Sequence, residues 1–112
     1  MTRQENDEYL TAVLQLYLNL AETPSRASAN DRKNATELHA RGISLAIVES
    51  AFLLASVRRL ARSPDMPPLS PIRSLAYFFP VIQEVLANPI PDNYLDYLRR
   101  KVELLTRDKK LN

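Results

Sequence analysis

Glu49 is the residue in this sequence best suited to carboxylate chemistry, and the arginines after it, Arg58, Arg59 and Arg62, are best suited to holding phosphate. All four lie in "SLAIVESAFLLASVRRLARS", residues 44–63, the most apolar stretch of the chain. On a helical wheel Glu49 neighbours Ser56 and falls between Leu45 and Leu60, so partial burial is expected. A buried carboxylate needs a partner or its pKa rises. A buried ion pair with Arg26, Arg41 or Arg73 is therefore the expected role of Glu49, and a functional carboxylate is the alternative. No histidine stands three residues after it, as di-iron bundles require.

Arg58, Arg59 and Arg62 share an arc of about 100° at the end of their helix. Cations there complement the negative end of the helix dipole. Three exceed what that role needs, and with Arg73 they form a candidate phosphate-binding edge. Arg99, Arg100, Lys109 and Lys110 extend the candidate nucleic-acid surface, although Asp96 with Arg100 and Glu103 with Arg107 have the spacing of self-neutralising helical pairs. Tyr77 is the aromatic residue expected to be exposed, beside Arg73 and Glu84. His39 is the single histidine and cannot build a metal site alone. No metal, cofactor or catalytic constellation is expected.

Composition narrows the field further. One glycine among 112 residues disfavours tight-turned sheets and phosphate-cradling loops, and eight prolines provide the breaks instead. The absence of cysteine excludes disulfides, thiolate metal sites and thiol nucleophiles. No apolar run approaches the roughly 20 residues of a membrane span, and the start "MTRQENDEYL" is polar and unlike a secretory leader. A soluble, cytoplasmic protein is expected. Residues 1–56 carry five basic and seven acidic residues, and residues 57–112 carry ten and six. The halves thus balance at −2 and +4, which points to an anionic partner for the second.

These residues must be positioned by helices. Apolar periodicity predicts helices over about 5–22, 30–41, 44–62, 70–87 and 92–108, with 1–4 and 109–112 frayed. Tyr9, Val13, Leu16, Tyr17 and Leu20 share the apolar face of the first. Asn30 is the expected cap of the second helix, which offers little beyond Ala35, Leu38 and Ala40 to bury. Gly42 suits a left-handed terminus and Ser44 a cap. The third helix is apolar nearly all round and should be central. "SPDMPPLSP", 63–71, reads as a stiff connection in which Ser70 caps and Pro71 opens the fourth helix. Pro80 then kinks or divides that helix, whose buried face is Ile72, Leu75, Phe79, Ile82 and Leu86. Tyr94, Leu95, Tyr97, Leu98, Val102, Leu104 and Leu105 form the buried half of the last. The expected fold is a single-domain, all-α bundle of about five helices spanning 1–112. Residues 31–62 have the outline of a helix–turn–helix, but an apolar second helix is unfit to read a major groove.

The segments "TPSR" at 23–26, "DR" at 31–32, "RGI" at 41–43, "VESA" at 48–51, "RR" at 58–59 and "PIRSLAYF" at 71–78 carry a resemblance. Over about residues 9–100 the chain resembles small, uncharacterised bacterial helical proteins associated with mobile elements and replication genes. That resemblance implies a DNA-associated accessory role and assigns no activity or site. The expectation is a non-enzymatic module that binds DNA or a DNA-bound complex through its arginines. A protein-interaction or self-associating module, such as a homodimer, is the alternative.

Overall fold

The computed structural model describes the backbone of residues 3–111 and the side chains of residues 4–107. Among the described residues, five α-helices and one 3₁₀ turn make up an all-α bundle. The fraying expected for 1–4 and 109–112 lies largely outside the described side chains, the backbone being helical from Arg3 and as far as Leu111.

Helix α1, Arg3–Leu18, stops short of the expected residue 22. The Thr23 hydroxyl donates to the Leu20 carbonyl at 2.8 Å, and Glu22 takes a left-handed φ of 67° that turns the chain. The break thus comes before Pro24. Helix α2, Ala29–Ala40, is capped by Ser28 rather than Asn30. Ser28 Oγ accepts the Asp31 amide and Asp31 Oδ2 accepts the Ser28 amide, both at 3.0 Å, closing a capping box. At its other end Gly42 has a φ of 71°, as a left-handed terminus needs. Ala40, counted among the buried residues from sequence, is exposed.

Helix α3, Leu45–Leu60, begins on Ser44, whose hydroxyl accepts the Ile47 amide at 3.2 Å. It is the central helix, packing on α1, on the 3₁₀ turn Leu75–Phe78, on α4 (Phe79–Ala87) and on α5 (Asp92–Leu111). Phe52 of α3 meets Phe78 at 4.7 Å between ring centroids, and Tyr17 of α1 meets Phe78 edge-on at 6.1 Å. All three rings are buried, each worth about 1.5–3 kcal/mol against exposure.

The fourth helical region differs from expectation at both ends. Residues 70–74 are not helical, and Ser74 rather than Ser70 caps, its hydroxyl accepting the Ala76 amide at 3.1 Å. Pro80 lies in the first turn of α4, which divides the region into two short helices. The intervening 3₁₀ turn advances three residues per turn, so Leu75 is followed inward by Phe78, then Ile82 and Val85. Phe79 is half-buried and Leu86 is exposed, against expectation. Asp31, buried with 1% exposure, accepts the Leu75 amide on Oδ1 at 2.9 Å and so ties the start of this turn to α2.

Among the described residues no helix is long and apolar enough to cross a membrane. No cluster of three or more histidine, aspartate or glutamate residues among them is disposed to hold a metal ion.

Candidate functional site

The three arginines at the end of α3 differ in exposure: Arg58 and Arg62 are exposed, and Arg59 is buried. Arg59 is buried, with its side chain 6% exposed, and its donors are turned to internal acceptors. Nε and Nη2 reach Glu22 Oε2 at 3.1 and 2.8 Å, Nη2 reaches the Ser70 carbonyl at 2.8 Å, and Nη1 reaches the Tyr77 hydroxyl at 3.2 Å. The guanidinium carbon also lies 5.4 Å from the centroid of the Tyr77 ring. Burial works against the charge of Arg59, but the hydrogen bonds to Tyr77 and Glu22 outweigh it and hold its pKa above the ordinary arginine value. This residue is an internal clasp.

Arg58 grips Glu84 of α4 with both terminal nitrogens, at 2.7 and 3.1 Å. That hydrogen-bonded contact lowers the Glu84 pKa. Arg62 donates to the Pro67 carbonyl at 3.0 Å. Two shallow depressions of about 470 and 440 Å³ lie on either side of Arg59 and Arg62, walled by the proline-rich segment in one case and by Ala55, Tyr77 and Val81 in the other. Tyr77 is 44% exposed, as expected. Arg73 is exposed and forms no ion pair among the described residues.

Glu49 pairs with none of the three arginines expected from sequence. Its Oε1 accepts Arg99 Nη2 at 2.7 Å, and Arg99 Nη1 also reaches Asp96 at 3.0 Å. The Glu49 side chain is 34% exposed, so the pair is a surface brace between α3 and α5 rather than a buried one. The hydrogen bond to Glu49 raises the Arg99 pKa, and with the charges of Glu49 and Asp96 it outweighs the opposing desolvation. Asp96 thus serves Arg99 instead of Arg100. The side chains of Lys109 and Lys110 lie outside the described residues.

The exposed surface that departs most from expectation is on α5. Leu98 is fully buried, and Leu95, Val102 and Leu105 beside it are half-buried. Tyr94, Tyr97 and Leu104 are 47%, 45% and 55% exposed, although they were expected in the same buried half. With Lys101 they occupy an arc of about 80° on one side of the helix. The two tyrosine rings stack at 5.6 Å. Arg100 and Arg107 border this stripe, and neither they nor Lys101 form an ion pair among the described residues. The signal was present in the apolar arc of α5, which spans about 180° and is wider than one neighbouring helix can cover.

No known protein family matches the chain, and neither a curated protein nor a solved structure is significantly similar to it.

Proposed function

We propose that this chain is a non-enzymatic helical interaction module that binds an acidic amphipathic helix of a partner protein along the outer stripe of α5. The observation that carries the reading is the row Tyr94, Tyr97, Lys101 and Leu104, spaced i, i+3, i+7 and i+10. That is the seam spacing by which one helix receives another. Three of the four seam residues are large and well exposed, and aromatic anchors of this kind dominate interface energetics.

Charge selects the partner. Arg100, Lys101 and Arg107 give the stripe a positive border, and Asp108 is the single acid of α5 that the helical spacing puts within its arc. In an antiparallel pair of copies centred near residue 99, Arg100 would face Arg100, and in a parallel pair Lys101 would face Lys101. Like charges oppose self-association, and an acidic helix relieves them. The expected homodimer is therefore the weaker form of the interaction reading.

A second reading keeps the nucleic-acid expectation and moves it from α3 to α5. It is favoured by two stacked, exposed tyrosines beside three cations without ion pairs, a combination that suits single-stranded bases and phosphates. A photo-crosslinking residue at position 97, introduced in the cells that make the protein, separates the two. Protein adducts at 97 that are absent from a control at position 7 on α1 support the first reading. Nuclease-sensitive adducts support the second. No adduct of either kind at 97 overturns both.

A further inference from the structure

The chain from Met66 to Ser74 crosses the arginine end of α3 with neither helix nor strand, and residues 61–71 are exposed. Its backbone is still narrowly confined. Proline fixes its own φ near −65° and drives the residue before it towards extended, polyproline II geometry. Pro67, Pro68 and Pro71 therefore constrain Met66, Pro67, Pro68, Ser70 and Pro71, leaving Leu69 alone between them.

Polyproline II has three residues per turn and no internal hydrogen bonds, so its backbone needs outside partners. The partners here recur at that period. Arg62 donates to the Pro67 carbonyl at 3.0 Å, and Arg59 donates to the Ser70 carbonyl at 2.8 Å, one bracket per turn. Leu69, 41% exposed, lines both depressions beside those arginines, and Ile72, three residues on, is buried at 4% exposure. The Ile72 amide closes the segment by donating to the Glu22 carbonyl at 2.9 Å.

Two carbonyls of the segment and the Ile72 side chain are thus held by the protein's own groups. Pro68 and Pro71, three residues apart, are both exposed, as is Arg73 two residues further on. Two prolines one turn apart are the unit that aromatic-walled grooves grip. Arg73 supplies a cation at one end, which sets the direction in which an acid-flanked groove can receive the segment. Because the fold has already ordered the segment, a partner is spared much of that entropic cost.

We infer that Pro68, Pro71 and Arg73 form a preorganised polyproline II ligand for a partner domain with an aromatic-walled groove and a carboxylate at its edge. This surface is separate from the α5 stripe, and either can fail without the other.

The test uses the intact protein against an array of SH3 domains, whose grooves have this chemistry. Binding should appear in a subset of the array, vanish in the Pro68→Ala/Pro71→Ala double variant, and fall several-fold in Arg73→Glu. The free peptide 66–74 should bind those same domains several-fold more weakly than the intact protein. Circular dichroism and thermal melts on each variant separate lost binding from lost folding. Absence of binding across the array overturns the proposal. Binding that survives the double variant, or binding of the free peptide alone, overturns it equally.

Discussion

Arg59 and Glu22 meet at 2.8 Å, joining the last turn of the central helix to a left-handed turn after α1. The same guanidinium reaches the Ser70 carbonyl and the Tyr77 hydroxyl, so one side chain ties four separate parts of the chain together. Arg59→Ala should destabilise the protein by about 2–3 kcal/mol, the scale of losing charge-assisted hydrogen bonds at a buried position. Glu22 is 41% exposed and can return to water, which keeps the loss from reaching that of a sealed pair. Arg59→Lys should recover little, because an ammonium cannot span acceptors arranged for a planar fork. A fall in melting temperature of roughly 10 °C for Arg59→Ala is the expected reading, and an unchanged melt refutes the clasp.

Asp31 carries a comparable burden without forming an ion pair among the described residues. Its two oxygens accept the Ser28 and Leu75 amides, and the carboxylate is 1% exposed. Asp31→Asn presents an NH₂ group to one of two donors, so one amide is left facing another. The expected cost is about 1–3 kcal/mol, the penalty of an unsatisfied buried polar group. Hydrogen exchange should quicken at Leu75, or at Ser28 if the asparagine turns over. Unchanged protection at both would show that Asp31 does not tie the elements together.

The elements themselves were readable because amphipathic periods and proline breaks are local properties. Ser44 and Gly42 behaved as their types predict, and the all-round apolarity of α3 made it central. Sequence and structure part chiefly where a distant residue supplies the partner, and in two places where the difference is local. Ser28 took the cap from Asn30 because Asp31 three residues on completes a capping box, which local spacing could have revealed. That the same carboxylate also receives the Leu75 amide could not be seen from spacing. Arg59 looked like a surface arginine because its acceptors come from residues 22, 70 and 77. Glu49 pairs with Arg99, 50 residues away, and not with Arg26, Arg41 or Arg73, for the same reason. The buried face of the fourth region slipped because a 3₁₀ turn changed the period at Leu75.

The division of α5 into a buried and an exposed stripe makes a direct comparison. Leu98→Ala removes a fully buried side chain and should cost about 2–5 kcal/mol. Leu104→Ala, on the same helix and of the same chemistry, should stay within about 0.5 kcal/mol of the parent because it is 55% exposed. Urea denaturation of both variants measures the difference. Equal losses would place Leu104 in the core and remove the stripe as a binding face.

Tyr17 gives the fold a defined alkaline limit. Its ring is fully buried, and its hydroxyl has no hydrogen-bond partner among the described residues. Burial first, and the nearby charge of Asp31 second, push its pKa up to about 12 from the model-compound value of 10.0. A raised pKa means that the unfolded chain loses this proton first as pH increases. The stabilisation is complete below pH 10.0 and is lost progressively as pH rises towards about 12. Absorbance titration near 295 nm should show exposed tyrosines ionising ahead of one that ionises together with unfolding. Tyr17→Phe removes an unpaired buried hydroxyl, so it should be neutral or slightly stabilising at pH 7. The same variant should resist unfolding to higher pH than the parent. An unaltered alkaline midpoint in Tyr17→Phe would show that another group controls that transition.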